Sequence, residues 1–140
     1  MKFSILIAHY NNGKFFKNCF DSLMAQTYQN WEAVILDDAS TDDSVEIIQK
    51  LIKDDRRFRL FFNEENSGVG VTKSKLIDLA EGDLCGFVDP DDAIAPETLQ
   101  SAVQVYLKEK NTVLTYSKFA KCDENLKVLS VPKLAMQVLN

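Results

Sequence analysis

The feature that most constrains this chain is a regular alternation. Short, nearly continuous apolar runs are each followed by a segment whose apolar residues recur at helical spacing. Phe3 to Ala8 is apolar except for Ser4, as expected of a strand buried on both faces. His9-Tyr10-Asn11-Asn12-Gly13 is a turn signal. From Lys14 to Gln26, Phe15, Phe16, Cys19, Phe20, Leu23 and Met24 recur at helical spacing, so one face is expected to pack on a sheet. Trp31 to Leu36 is a second strand ending at Asp37-Asp38. Ala39-Ser40-Thr41 follows as a loop, and Asp42 and Asp43 are expected in the first turn of a helix whose apolar face is Val45, Ile48 and Ile52, with Ile47 and Leu51.

The alternation continues. Phe58 to Phe62 reads as a strand, Asn63 to Gly68 as a polar turn and Val69 to Glu81 as a helix, with Gly82 suited to the position just past its end. Leu84 to Val88 reads as a short buried strand. Pro96 opens a helix whose buried face is marked by Leu99, Ala102, Val103, Tyr106 and Leu107. Val113 to Tyr116 reads as a further strand, and Lys121 to Val128 as a turn and a further strand or hairpin arm; Val131 to Asn140 carries no clear pattern. A β-α-β-α-β-α-β-α-β order implies an α/β fold, a mostly parallel sheet with helices on both faces. In such sheets ligands bind beyond the carboxyl ends of the strands.

Charge narrows the function classes. A net charge of -5 and a pI near 4.9 argue against nucleic acid as a partner. Cys19, Cys85 and Cys122 are widely spaced with no CxxC, which suits a reducing compartment and neither a disulfide framework nor a zinc site. No apolar run reaches membrane-span length, and Met1-Lys2 leads straight into a strand without a signal-peptide pattern.

The acidic residues concentrate where strands end. Asp89-Pro90-Asp91-Asp92 follows the run Leu84 to Val88, and carboxylates gathered there repel one another unless something neutralises them. An oxygen-only cluster suits Mg²⁺ or Mn²⁺, ions that keep positions open for a substrate's phosphate oxygens. The competing reading is a solvated loop with a helix cap. Asp38 can accept a hydrogen bond from a base N–H, or merely solvate a strand end. Tyr10 can stack on a flat ligand, or close the core. His9, the sole histidine, has no nucleophile placed beside it and reads as structural. Asn66-Ser67-Gly68-Val69-Gly70 can present backbone N–H groups to phosphate, with Lys73 and Lys75 one turn on, but it is not a P-loop.

Taken together, Phe3-Ser-Ile-Leu-Ile-Ala-His-Tyr-Asn-Asn12, Ser22-Leu-Met-Ala-Gln-Thr-Tyr28, Val34-Ile-Leu-Asp-Asp-Ala-Ser-Thr-Asp42, Asn66-Ser-Gly-Val69 and Phe87-Val-Asp-Pro-Asp-Asp92 resemble, in order and spacing, the N-terminal half of the family-two inverting glycosyltransferases of GT-A-type fold. The resemblance covers roughly residues 3 to 116. It implies a nucleotide-sugar donor, a UDP-sugar above all, with Tyr10 packed on the base, Asp38 on the base N–H, Asp89 at the ribose or the metal's shell, and Asp91 as ligand to Mn²⁺ or Mg²⁺. It also implies a glycan or lipid-linked acceptor in glycan or polysaccharide synthesis. On this reading the 140 residues form one nucleotide-sugar-binding domain, the N-terminal part of a longer cytoplasmic enzyme that could lie peripherally at the inner face of a membrane.

The chain departs from the family pattern at Ala8, where Pro is usual, and at Lys73, where Arg is common; lysine cannot make arginine's bidentate phosphate contact. The acceptor-activating carboxylate would follow the region around residue 125, and no catalytic residue is assigned within the chain. The alternative of another class is a phosphoacceptor receiver domain, which would want its acidic pair after the first strand rather than the second. A sugar-nucleotide pyrophosphorylase would want a basic, glycine-rich loop where Asn11-Asn-Gly-Lys14 stands.

Overall fold

The computed structural model describes residues 1–109, 111–115 and 117–132. The elements run β1 (Phe3–His9), α1 (Gly13–Met24), β2 (Trp31–Asp37), α2 (Ser44–Ile52), β3 (Phe58–Phe62), α3 (Val69–Leu79), β4 (Leu84–Phe87), α4 (Thr98–Lys108), β5 (Lys121–Cys122) and β6 (Val128–Ser130). β1 to β4 form a parallel sheet in the order β3-β2-β1-β4. β5 and β6 make a separate antiparallel pair, the hairpin expected around Lys121 to Val128.

The sheet is covered on both faces, as the alternation demands. Phe3, Ile5 and Ile7 of β1 and Trp31, Ala33 and Ile35 of β2 point to one side, where α1, α2 and α4 supply Phe16, Cys19, Leu23, Ile48, Leu99 and Val103. Leu6, Val34 and Leu36 point to the other, against Leu76 of α3. The period of two along each strand and the helical stripes therefore meet. Buried Gln26 holds α4 to the end of α1: its amide donates to the Ala95 carbonyl (2.8 Å) and accepts from the Leu99 N–H (3.2 Å).

Several expectations shift. Asp42 and Asp43 precede α2 instead of lying in its first turn, and the Asp42 carboxylate accepts from the Ser44 N–H (3.0 Å). α3 stops at Leu79, so Gly82 does not terminate it. Gly82 instead permits close passage over β1, where a Cβ would lie 2.6 Å from Ser4 Oγ and 2.7 Å from the Lys2 carbonyl oxygen. β4 is not buried on both faces; it lies at the sheet edge, with Cys85 and Phe87 exposed. Leu107 is likewise exposed on α4. Val113 to Thr115 is not a strand, with Val113 92% and Leu114 79% exposed; Tyr116, the end of that expected run, and residues 133–140 lie outside the described residues. An apolar run becomes a strand only where a sheet edge pairs with it.

Candidate functional site

All strands of a parallel sheet deliver their carboxyl ends to one rim. In the order β3-β2-β1-β4 the chain leaves β1 toward β2 on one side and later returns to β4 on the other, so a crevice opens above β1. A cleft of about 450 Å³ lies there, lined by Tyr10, Asp38, Asn66, Lys73, Asp89 and Asp91 among others. The residues nominated from the sequence thus share one cavity, although they come from the ends of three different strands. Tyr10 remains 45% exposed, with its ring available to a ligand.

The loops after β1 and β2 are tied together from below. Asn11 takes φ 48, a left-handed conformation that Asn tolerates. Its side-chain oxygen accepts from the N–H groups of Thr41 (2.8 Å) and Asp42 (3.3 Å), and its own N–H donates to Ser40 Oγ (2.9 Å). Buried His9 pairs through Nδ1 with Asp37 Oδ1 (2.9 Å), and Asp37 also accepts the Ser40 N–H (2.8 Å) and hydroxyl (2.6 Å). Asp37 is spent on this scaffold, as is the Nδ1 side of His9, whose ring also borders the cleft. Since successive strand residues face opposite sides, Asp38 turns the other way, toward α3 and the cleft.

Asp38 is buried and densely bonded. Oδ1 accepts from Asn63 Nδ2 (2.7 Å) and the Ser67 N–H (2.9 Å), and Oδ2 from the Gly68 N–H (2.8 Å). Burial alone would raise its carboxyl, but the bonds from Ser67, Asn63 and Gly68 outweigh that and hold it below the usual range. Asp38 is therefore a fixed acceptor that also shapes the wall carrying Asn66. No local signal in the sequence announces this loop capture.

The acidic stretch forms a tight turn in which the Asp92 N–H donates to the Asp89 carbonyl (3.0 Å) and Pro90 is buried. Lys73 reaches across from α3 to Asp89 Oδ1 (2.9 Å), over the ring of Phe87. One carboxylate is thus neutralised by the chain itself. Burial, then the charges of Asp91 and Asp89, raise the Asp92 carboxyl. Among the described residues no three His, Cys, Asp or Glu side chains converge as a metal cage. A hard cation that shares its shell with phosphate and water needs only one or two carboxylates, and Asp91 with Asp89 on the cleft wall fits that requirement.

A parallel sheet with a strand-end cleft of this kind is the framework of nucleotide-binding α/β proteins. Comparison with known proteins narrows it: the model of glycosyl transferase family 2 matches residues 4–132, and the chain belongs to that family. It is similar to an uncharacterized glycosyltransferase of Haemophilus influenzae, 35% identical over 86% of this chain and 48% of that protein. It also matches glycosyltransferase GlyG of Streptococcus pneumoniae, at 31% over 87% of this chain and 40% of that protein. The chain therefore spans about half or less of the length of these relatives. Among solved structures, S. aureus TarS in complex with UDP-GlcNAc superposes with a TM-score of 0.74 at 29% identity, over 86% of this chain and 39% of that one. The fold is the GT-A type shared by such transferases, and the receiver alternative falls with the family assignment. No helix among the described residues is long and apolar enough to cross a membrane.

Proposed function

We propose that this chain binds the nucleotide part of a nucleotide sugar, a UDP-sugar above all, for inverting glycosyl transfer to a saccharide or other hydroxyl acceptor in glycan or polysaccharide synthesis. The observation that carries the reading is the convergence of Tyr10, Asp38, Asp89 and Asp91 on one cleft at the strand ends. The likeness to TarS, which was solved with UDP-GlcNAc, supports the donor class.

In this reading Tyr10 packs against the base and Asp38 accepts its N–H. Asp89 would lie at the ribose or in the metal's shell, and Asp91 would ligate Mn²⁺ or Mg²⁺. When bound, that ion supplies positive charge to the departing diphosphate. Lys73, already within the cleft, adds a cation that an acidic rim needs if it is to receive an anionic donor. In this reading the chain serves as the donor-binding domain of a cytoplasmic glycosyltransferase, and no residue described above is assigned as the acceptor-activating base.

Calorimetry with UDP, CDP, ADP and GDP, with and without Mn²⁺, tests the proposal. UDP binding that needs the metal and is lost in Asp91→Ala is expected. Equal UDP binding with and without metal sinks the metal-bridged reading.

A further inference from the structure

Asp38 does not stand alone in the cleft wall. An ionised carboxylate offers about four acceptor positions, and Asn63, Ser67 and Gly68 occupy three of them. Thr72 also lies beside the carboxylate, but its hydroxyl donates to the Gly68 carbonyl (3.0 Å), which leaves one position on Oδ2. Which one remains depends on Asn63, whose amide is oriented by two groups of opposite character. Lys75 of α3 has only donors and approaches the Asn63 side-chain oxygen at 2.7 Å. Asp38 only accepts, and takes the Asn63 nitrogen at 2.7 Å. Thr72 Oγ1 lies 3.3 Å from that same nitrogen, while its hydroxyl donates to the Gly68 carbonyl (3.0 Å). The amide cannot flip without setting donor against donor and acceptor against acceptor. Asn63 is also anchored through its backbone, whose N–H donates to the Asp37 carbonyl (2.8 Å).

We propose that Lys75 and Asn63 are positioning residues that aim Asp38, and that through it they set which base edge the cleft admits. The inference rests on the base-reading role proposed for Asp38. A carboxylate held with a single open acceptor position takes a ring N–H, as uracil presents at N3, and repels the ring lone pair that cytosine presents there. With Asn63 removed, Oδ1 regains a free position, the carboxylate can rotate, and the discrimination weakens. Lys75 does not line the cleft and is hydrogen-bonded to Asn63, so its route to base choice runs through Asn63.

The test compares UDP and CDP, which differ only at the base edge, by calorimetry in the presence of Mn²⁺, on the full chain and on Asn63→Ala, Lys75→Met and Lys75→Arg. Inorganic pyrophosphate serves as a base-free probe. The wild type should prefer UDP by at least about tenfold, the scale of one well-placed hydrogen bond to a charged group. Asn63→Ala should reduce that ratio by about tenfold and Lys75→Met by about threefold, with pyrophosphate affinity unchanged; Lys75→Arg, which keeps the donor, should restore it. A ratio that stays within twofold of wild type in both Asn63→Ala and Lys75→Met overturns the proposal, as does equal weakening of UDP, CDP and pyrophosphate. A wild type that binds UDP and CDP equally overturns the base-reading role itself, which is a distinguishable failure. Lys75 is exposed on α3, so its variants keep the test decisive if Asn63→Ala does not fold.

Discussion

Glu32 offers the sharpest test of what holds the sheet together. It interrupts the apolar run from Trp31 to Leu36 near the start of β2, with a side chain only 3% exposed. Oε1 accepts from the Ser4 hydroxyl (2.6 Å) and the Glu81 N–H (2.8 Å), and Oε2 from the Lys2 ammonium (2.9 Å) and the Arg59 guanidinium (3.1 Å). Glu32→Gln keeps the shape but leaves a single oxygen for these donors. Whichever way the amide lies, its NH₂ group faces one pair of them. Burial alone would raise the Glu32 carboxyl; the bonds from Ser4, Lys2, the Glu81 N–H and Arg59 prevail and bring it from 4.5 to about 2. Each tenfold change in proton affinity is about 1.4 kcal/mol, so roughly 3 kcal/mol of folding stability rests on the ionised group. That contribution is whole above the unfolded value near 4.5 and is lost as pH falls toward 2. Loss of one partner from a buried ion pair costs a similar ~3–5 kcal/mol. Urea denaturation at pH 7 should therefore show Glu32→Gln less stable by about 3 kcal/mol, with the two proteins converging as pH is lowered below about 4. A gap under about 0.5 kcal/mol, the usual size of an ordinary surface substitution, would refute the reasoning. So would a gap that pH does not change.

Two further outcomes follow from the packing. Gly13→Ala should cost about 2 kcal/mol in the same assay, because its Cβ would fall 2.5 Å from Ser44 Cα, a backbone atom that cannot swing aside; an unchanged denaturation midpoint would contradict the close approach of α1 and α2. Burial, then the charges of Asp92, Asp91 and Asp89, push the Cys19 thiol up to about 12. Iodoacetamide at pH 8 should thus modify exposed Cys85 and Cys122 but spare Cys19 until denaturant is added, and mass spectrometry of the native protein counts the adducts.

Much of this architecture was legible because it follows from period. The nearly continuous apolar runs of β1 and β2 announced strands covered on both faces, and β3 lies at its expected bounds, Phe58–Phe62. The strand-end cleft followed from topology alone. What escaped was whatever depends on a distant partner. Glu32 within the run from Trp31 to Leu36 did carry a signal, since a lone carboxylate in a buried strand requires donors; Lys2, Ser4 and Arg59 supply them from β1 and β3 and their flanks. Gln26 required partners in the same way and found them at the start of α4. Asp38 showed its position but not its collar, because Asn63, Ser67 and Gly68 reach it only after β3 has paired with β2. The run at Val113 misled for the converse reason: its composition suits a strand, but no described edge receives it.

β1 places two separate burdens at its two ends. Ser4, near the start, belongs to the ionic cluster around Glu32, while His9 and the Tyr10 that follows it meet the cleft. At about 3.3 Å per residue the two regions lie nearly 20 Å apart, beyond the range at which substitutions usually couple. An engineer can therefore strengthen or weaken the lower end of the sheet as a thermostat and leave ligand choice at the upper end untouched. The same separation gives evolution freedom to redraw the loops above a base that it need not rebuild.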